Sequence, residues 1–349
     1  MSLILITGSC GLVGSESVNF FHKKGFEIIG IDNNLRQKFF GKDGSTERVK
    51  KEIIRNNKNY IHKDIDIRNY IKLEKIFKNY KKNIKLIIHC AAQPSHDYAK
   101  NNSILDFQVN GQGTHNLLEL TKKYCPDSPF IFMSTNKVYG DNPNKLSFFS
   151  NQKRFELKKS HKLFKGIDET FRIDECIHSF FGVSKTYADL LVQEYGKNIG
   201  LKTVCFRAGC ITGPNHSGAK LHGFLSFLVK QSLASKKYSI IGYNGKQVRD
   251  NIHSLDLVNC FWEFFKKPLK GIVFNIGGGR KSNCSLIEAI EMIENKLQRK
   301  IKKEFIKQNR VGDHIWYITN NSKFKKYYPN WKQRFNTKDI IYELINSYS

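Results

Sequence analysis

The chain has 349 residues, 40% of them apolar, and its 58 Lys and Arg against 31 Asp and Glu give a formal net charge of +27. The length predicts one large α/β domain that carries a smaller lobe. No apolar run approaches about 18 residues and the first segment lacks a signal-peptide pattern, so we expect a cytoplasmic protein with no membrane contact. The cations are mostly lysines scattered along the chain without a recognition motif, which predicts no nucleic-acid partner.

Short β-branched and apolar runs alternate along the chain with segments of helical pattern. The predicted strands are the runs 3–8, 26–32, 60–65, 86–92, 130–135 and 202–209. The predicted helices between them include "SESVNFFHKK", "YIKLEKIFKNY", "GTHNLLELTKKY" and "SKTYADLLVQEYGKNIG". Strands that alternate with helices predict an α/β fold of the Rossmann type, with a doubly wound parallel sheet.

The pattern becomes irregular after the sixth predicted strand, which predicts a smaller α/β lobe that completes a cleft over the sheet. We assign 1–212 to the Rossmann domain, with 248–275 returning to it, and 213–247 together with 276–349 to the smaller, substrate-binding lobe. The polar segment 141–177 joins two candidate site motifs, so we expect it to be an insertion over the cleft.

The eight cysteines form no CxxC pair and no spaced Cys/His ligand set. This pattern predicts reduced thiols rather than disulfides or a zinc site. We therefore expect no metal, and we expect most of the thiols to be small core side chains.

The segment "ITGSCGLVG" places Gly8, Gly11 and Gly14 directly after the first strand and before a helix. Glycines there permit a tight turn, close approach to a pyrophosphate and close helix packing, while the helix N-terminus stabilises the phosphate charge. Asp32 ends the second strand, where a carboxylate accepts hydrogen bonds from the adenosine ribose hydroxyls. The combination predicts a dinucleotide site. We also assign to it Leu12, Val13 and Asn33.

The choice of dinucleotide depends on Asp32, whose carboxylate would repel a 2′-phosphate. This favours NAD over NADP, although Arg36 close behind weakens the preference. Asp66 and Ile67 follow the third strand and fit a contact with the adenine edge. Asp64 is the alternative register, and a strand-end carboxylate without a ligand is the other interpretation.

Nine motifs, taken together, resemble one family over nearly the whole chain: the extended short-chain dehydrogenase/reductases that modify nucleotide sugars. The motifs are "TGSCGLVG", "DIDIRN", "HCAAQPS", "VNGQGTHNLLE", "MSTNKVYGD", "GVSK", "FRAGCITGPN", "GKQVRD" and "FNIGGG". Within the family, "STNKVYGD" followed by "GKQVRDNIHSLD" is most similar to the branch of CDP-tyvelose (CDP-paratose) 2-epimerases. The resemblance implies tightly held NAD that transiently oxidises a sugar carbon, and a homodimer formed by the helices near 112–124 and 181–197.

The resemblance also implies roles for single residues. Ala91, Ala92 and Gln93 would line the nicotinamide half of the cofactor. Asn110 would hold the geometry at the strand end nearby. Lys185 would hold the nicotinamide ribose. Thr135 stands at the catalytic Ser/Thr position, and Cys210 aligns with a polar residue that faces the substrate.

Substrate contacts are implied in the same way. The residues that would face the nucleotide sugar are Asn136, Asn215, His222 and Arg249. An arginine suits diphosphate oxygens because its donors form a fixed fork. A surface salt bridge from Arg249 to Asp250 is the alternative interpretation.

The family's general base is a tyrosine four residues before the lysine, and Phe181 stands at that position in "HSFFGVSK". Positions four apart share a helix face, so Phe181 and Lys185 should both point into the site. The phenyl ring cannot move a proton, so Lys185, Thr135 or Cys210 would have to do so. His96 in "QPSHD" is a further candidate for a substrate contact or proton transfer, with a structural histidine as the alternative.

Tyr187 cannot replace the missing phenol, because two residues beyond Lys185 is about 200° around a helix and the ring should face away. We therefore expect an NAD-dependent enzyme that acts on a nucleotide-linked sugar, with 2-epimerisation of a CDP-linked sugar as the favoured reaction. The alternatives are an NAD(P)H-dependent reductase of a nucleotide-linked keto sugar and a catalytically inactive NAD-binding sensor.

Overall fold

The computed structural model describes residues 2–216, 218, 223–309 and 312–348. The strands are β1 (Leu3–Thr7), β2 (Glu27–Ile31), β3 (Tyr60–Lys63), β4 (Ile84–His89), β5 (Phe130–Thr135), β6 (Phe149–Ser150), β7 (Phe155–Glu156), β8 (Thr203–Ala208), β9 (Cys210–Thr212), β10 (Tyr238–Ile241), β11 (Val248–His253), β12 (Ile272–Ile276), β13 (Asn283–Ser285), β14 (Lys303–Ile306) and β15 (Trp316–Tyr317). The α-helices are α1 (Leu12–Lys23), α2 (Leu35–Phe40), α3 (Glu47–Asn56), α4 (Tyr70–Tyr80), α5 (His96–Asn101), α6 (Ser103–Phe107), α7 (Gly113–Tyr124), α8 (Phe180–Lys197), α9 (Phe224–Leu233), α10 (Ser254–Lys266), α11 (Leu286–Leu297), α12 (Ser322–Tyr327) and α13 (Thr337–Tyr348).

The main sheet has seven parallel strands within the described residues, in the order β12-β8-β5-β4-β1-β2-β3. The chain builds outward from β1 in one direction and then from β4 in the other, so a topological switch point lies between these two strands. This order confirms the predicted Rossmann-type doubly wound sheet. The strand predicted at 86–92 ends at His89, and the chain continues from there into a loop at the switch point.

Both faces of the sheet are apolar because helices cover both, as a parallel sheet requires. Side chains alternate along β1, whose five residues are all buried. Ile4 and Ile6 pack with α1, α3 and α10, whereas Leu3 and Leu5 pack with α4, α7 and α8 on the other face. Packing on both faces holds the sheet in place, and with it the edge at which its strands end.

A smaller core lies in the later part of the chain. The helices α9, α11 and α13 pack against one another and against β10, through side chains such as Leu225, Ile290 and Leu344, while β14 pairs with β10 and is exposed. The first turn of α11 is held by a capping box, in which Ser285 Oγ accepts from the Glu288 N–H at 3.1 Å and the Glu288 carboxylate accepts from the Ser285 N–H at 2.8 Å.

A second sheet connects the two parts. β11 pairs in parallel with β9 and β15 and antiparallel with β13. β12 joins the main sheet beside β8, and α10 packs against α1. Residues 254–276 therefore contact the Rossmann core, while β11 lies in the second sheet. The domain division drawn from the sequence stays a prediction.

The segment 141–177 does not cover the site, contrary to our expectation. Its apolar side chains, among them Leu157, Leu163 and Ile167, pack with Trp316 and Tyr317. None of its residues lines the cavity described below. Among the helices of the described part of the chain, none has both the length and the apolar character needed to cross a membrane.

Candidate active site

One cavity of about 660 Å³ lies where the strands of the main sheet end, and it extends to the smaller core. Ligands of open α/β sheets bind at this edge, beside the switch point. The predicted site residues that line the cavity are Gly8, Gly11, Leu12, Val13, Gly14, Asp32, Asn33, Asp66, Ile67, Ala91, Ala92, His96, Thr135, Asn136, Phe181, Lys185, Cys210, Asn215 and Arg249. Of the remaining predicted residues, Gln93 and Asn110 do not line it, and His222 lies outside the described residues.

The glycine turn leaves no room for side chains. Gly8 has φ +66°, a left-handed conformation, and a Cβ on it would lie 2.7 Å from the Ala91 nitrogen. A Cβ on Gly14 would lie 2.0 Å from the Gly8 oxygen. The turn brings α1 against the end of β1, with Gly11 as its N-cap residue. A diphosphate fits here, because the first-turn N–H groups of a helix attract anions.

Asp32 is held at the end of β2 by backbone donors. The Cys10 N–H donates to one carboxylate oxygen at 3.0 Å and the Asn34 N–H to the other at 2.9 Å. Burial raises the pKa of Asp32, and the two amide hydrogen bonds act in the opposite direction. Arg36 also lines the cavity, and its burial lowers the pKa of the guanidinium to about 10.

The carboxylate after the third strand lies in the predicted register. Asp66 lines the cavity and Asp64 does not. Arg68 donates to Asp66 at 2.6 Å, and the Asn33 amide donates to it at 3.3 Å. Asp66 is therefore fixed beside the region of Asp32, and its contact with adenine stays a prediction.

Gln93 was predicted to line the nicotinamide half, but it is completely buried. Its side chain donates to the Asp106 carboxylate at 2.6 Å and accepts from the Ser95 N–H at 2.6 Å. Asn110 accepts from the Gln93 N–H at 2.9 Å and donates to Ser184 Oγ at 3.0 Å. These amides tie the loop after β4 to α8 from behind, so they support the site without facing it.

Lys185 lies in the cavity wall with 4% of its surface exposed. Its Nζ donates to the Met133 oxygen at 2.7 Å and lies 4.0 Å from the centroid of the Phe132 ring. Burial lowers the pKa of Lys185 to about 8. Phe181 lines the same cavity, so the expected shared helix face is confirmed.

The ring of Phe181 contacts that of His96 edge-on, with the centroids 4.8 Å apart. His96 begins α5, and its Nδ1 lies 2.6 Å from Ser179 Oγ. Ser179 is the N-cap residue of α8, and its Oγ accepts from the Gly182 N–H at 3.1 Å. His96 is thus anchored to the start of the helix that carries Phe181 and Lys185. Tyr187 is 39% exposed and packs on Phe107, as its predicted outward direction requires.

Thr135, at the end of β5, accepts from the Lys137 N–H at 3.2 Å and donates to the Asn136 amide oxygen at 3.5 Å. Lys137 also lines the cavity, and its Nζ donates to the Gly312 oxygen at 2.7 Å. Burial raises the pKa of Cys210 to about 11, so this thiol stays protonated at neutral pH.

Arg249 pairs with Asp313 at 2.5 Å, which makes the alternative of a salt bridge to Asp250 wrong. Asp250 is instead buried and accepts the N–H groups of Gly279 and Thr319. Asp313 lines the cavity beside Arg249 and was missed, because 64 residues separate the partners and no local pattern marks the pairing. Lys137 was missed although it lies inside a motif quoted above. Thr212 and Gln247 also line the cavity and were missed inside quoted motifs, and the lining residues outside any quoted motif include Phe224, Phe227, Gln231 and Tyr238.

A doubly wound sheet, a glycine cradle at its switch point, an acid at the end of β2 and a buried lysine in the wall of the same cavity define a dinucleotide-dependent enzyme of the Rossmann class. Residues 4–277 match the NAD dependent epimerase/dehydratase family, and the chain belongs to this family. The protein is therefore an NAD-dependent enzyme of the nucleotide-sugar epimerase and dehydratase type, which confirms the predicted family and cofactor.

Among curated relatives, CDP-paratose 2-epimerase from Salmonella typhi is 30% identical over 299 residues, which are 84% of this chain and 83% of that protein. UDP-glucuronate 4-epimerase from Thermodesulfobacterium geofontis is 25% identical over 99% of this chain and 96% of that protein. Among solved structures, UDP-glucose 4-epimerase from Thermus thermophilus in complex with NAD has a TM-score of 0.78 at 20% identity, over 99% of this chain and 98% of that one. The last of these shows a shared fold.

Proposed function

We propose that this enzyme inverts carbon 2 of a CDP-linked sugar by transient oxidation and reduction. The observation that carries the proposal is one continuous cavity, which joins the glycine cradle to Lys185 and Thr135 and then to Arg249. A cofactor and a nucleotide sugar can therefore meet at the two central residues. The choice of sugar and carbon is supported by the similarity to CDP-paratose 2-epimerase.

The dinucleotide end of the cavity would hold the cofactor through groups already described. The first turn of α1 would bind the diphosphate and Asp32 would accept the ribose hydroxyls, while Lys185 would donate to the second ribose. Bound NAD supplies a hydride acceptor that can also return the hydride. The chain supplies binding, orientation and the movement of a proton.

The other end of the cavity would hold the nucleotide sugar. Arg249 has one nitrogen on the Val248 oxygen and another on Asp313, which orients the guanidinium at the cavity wall. An oriented guanidinium suits a diphosphate. Asn215 lies in the same wall, and Thr135 with Asn136 lies where a sugar hydroxyl would meet the end of β5.

We also propose a homodimer built on α7 and α8. Exposed apolar side chains collect on this side of the molecule, among them Ile104 with 76% of its surface exposed, Phe107 and Leu190. Phe107 packs on Tyr187 across α6 and α8. Exposed apolar side chains on neighbouring helices are typical of a protein–protein interface.

The test of the reaction uses the purified full-length protein. NAD that remains bound through gel filtration, together with inversion at carbon 2 and no net change in reduced cofactor, is the expected result with one of a panel of CDP-, UDP-, dTDP- and GDP-linked sugars. Stoichiometric consumption of added NADH with a keto sugar would instead identify a reductase. A protein that keeps NAD but inverts no sugar in the panel would contradict the proposal.

A further inference from the structure

Oxidation of a secondary alcohol needs a group that takes the hydroxyl proton. The resemblance to the family predicts a phenol for this work, and Phe181 provides none. The question is which side chain near Phe181 can exchange a proton near neutral pH. The answer rests on the proposed redox function, because without it the site has no such proton to move.

The other candidates in the cavity wall fit this work poorly. The Cys210 thiol has a pKa raised to about 11 by burial, so it is a weak base at neutral pH. Lys185 already donates to the Met133 oxygen and lies on the Phe132 ring. Thr135 is an alcohol whose hydrogen bonds go to its own chain neighbours.

Two histidines lie among the described residues that line the cavity, His96 and His216. Burial, with the charges of Arg36 and Lys230, lowers the pKa of His216 to about 3, so its imidazole stays neutral at working pH. The Asp32 carboxylate acts in turn on the pKa of Arg36, which places His216 toward the adenosine end of the cavity. His96 is the imidazole beside Phe181 and Lys185.

We propose that His96 is the acid/base that exchanges the proton of the sugar hydroxyl in place of the missing phenol. Its ring lies edge-on to Phe181 with the centroids 4.8 Å apart, in the wall of the same cavity. It is the first residue of α5, directly after the loop that follows β4 at the switch point of the sheet. The imidazole therefore lies next to the place where a phenol on position 181 would act.

Ser179 is the positioning residue for this imidazole. Its Oγ lies 2.6 Å from His96 Nδ1 and accepts from the Gly182 N–H at 3.1 Å. A hydroxyl has one donor and two acceptor sites, so Ser179 can donate to Nδ1 or accept from it while it still caps α8. For Nε2 to take the proton, neutral His96 must carry its hydrogen on Nδ1, as the imidazolium also does. Ser179 Oγ then accepts from Nδ1 in both states while it also accepts from the Gly182 N–H, and Nε2 is the atom that exchanges the proton with the sugar.

Atoms and electrons balance in this step. With bound NAD as the hydride acceptor, the bond between the sugar carbon and its hydrogen would break, and its electron pair would leave with the hydrogen as hydride. The hydroxyl O–H bond breaks with its proton going to His96, so the carbon becomes a ketone. Return of the hydride to the opposite face and of the proton from His96 restores the alcohol with inverted configuration.

The experiment compares the full-length wild type, His96→Asn, the double variant His96→Asn with Phe181→Tyr, and His22→Asn as a matched control outside the cavity. Each is assayed on the sugar that the wild type inverts, and each is measured for bound NAD and for nucleotide-sugar affinity by calorimetry. For His96→Asn we expect kcat to fall about 10²- to 10⁴-fold, with NAD content and affinity unchanged. The double variant should regain at least about tenfold, because a phenol then stands four residues before Lys185. His22→Asn should match the wild type.

The pH profile gives a second readout. The wild-type kcat/KM should fall on the acid side as His96 takes up a proton, and this fall should be absent from the double variant. The charged groups around His96 include Asp97 and Lys100 on α5, Lys185 on α8, Lys137, whose Nζ donates to the Gly312 oxygen, and Asp313, which follows Gly312; a Cβ on Gly312 would lie 3.3 Å from His96 Nδ1. All of them are kept in every variant.

Several results would overturn the inference. A His96→Asn variant within about threefold of the wild type removes His96 and leaves the proposed function intact. A loss of kcat that comes with lost NAD or weaker nucleotide binding also removes His96 as the acid/base, since this result indicates a structural histidine. A double variant as inactive as His96→Asn also excludes the proton role. A wild type that inverts no sugar overturns the proposed function and this inference together.

Discussion

Substitution of Gly14 by alanine should weaken NAD binding by more than its effect on the stability of the fold explains. An alanine Cβ there would lie 2.0 Å from the Gly8 backbone oxygen, whereas Cβ contacts under 3.0 Å are essentially never seen. No rotamer change can relieve a clash with backbone, so the start of α1 must move by about 1 Å from the Gly8 turn. We expect this shift to weaken NAD binding about 100-fold, which corresponds to about 2.7 kcal/mol.

The chain offers a matched control at Gly196, late in α8. An alanine Cβ there would lie 2.1 Å from the Gly271 nitrogen, so the steric conflict is nearly the same, but Gly196 does not line the cavity. Both variants should lose about 1–3 kcal/mol of unfolding free energy through overpacking. Only Gly14→Ala should also lose NAD.

The assay has two parts: urea unfolding for stability, and the NAD dissociation constant of protein freed of cofactor, from calorimetric titration. A folded Gly14→Ala variant that binds NAD within about threefold of the wild type would refute the role given to the cradle. An equal loss of NAD affinity in Gly196→Ala would refute it as well, because the effect would then come from general destabilisation.

Lys185→Met should remove a pH dependence of stability. Burial lowers the pKa of Lys185 to about 8 in the folded protein, so the unfolded chain binds more protons between about pH 8 and 10.4. Over that range the unfolding free energy of the wild type, measured in urea at a series of pH values, should rise relative to the variant by at most about 1.4 kcal/mol per pH unit. Arg249→Lys should weaken CDP binding about tenfold, because lysine lacks the planar fork of donors. Arg280 lies outside the cavity and pairs with Glu156, so Arg280→Lys should leave the calorimetric affinity for CDP unchanged. Equal effects of the two substitutions would contradict the role given to Arg249. Leu190→Asp should convert a dimer into a monomer, as measured by sedimentation velocity. Ile54→Asp on α3, at an equally exposed apolar position, should leave the dimer intact. A Leu190→Asp protein that is still a dimer would exclude this surface as the dimer interface.

The fold was predictable because its signals are local. Apolar runs of strand length, separated by helical patterns, mark six of the seven strands of the main sheet, all except β12, and Gly8 and Gly14 mark the turn that a left-handed φ and close packing require. The cavity residues on this frame were predictable for the same reason. Phe181 and Lys185 share a helix face by spacing alone, and Asp32 ends a strand.

The missed features depend on contacts between distant parts of the chain. Asp313 reaches Arg249 across 64 residues, and no pattern around either residue marks the partner. Gln93 was placed in the site by its neighbours in a motif, but its side chain turns into a buried polar network with Asp106. Satisfaction of buried donors, rather than sequence position, decided its direction. The segment 141–177 packs on Trp316 for a comparable reason, since its apolar side chains find a core there.

The loss of the phenol affects which helices carry the proton-transfer group and the ribose donor. A tyrosine four residues before the lysine puts base and ribose donor on one helix, where the lysine charge also lowers the pKa of the phenol. With Phe181 in place, Lys185 has no such partner at that position, and its own pKa near 8 is set chiefly by burial. If His96 moves the proton, proton transfer depends on α5 and the hydrogen bond to the cofactor ribose on α8, and Ser179 links the two helices. The proton transfer would then titrate with an imidazole, and Lys185 could serve the cofactor alone.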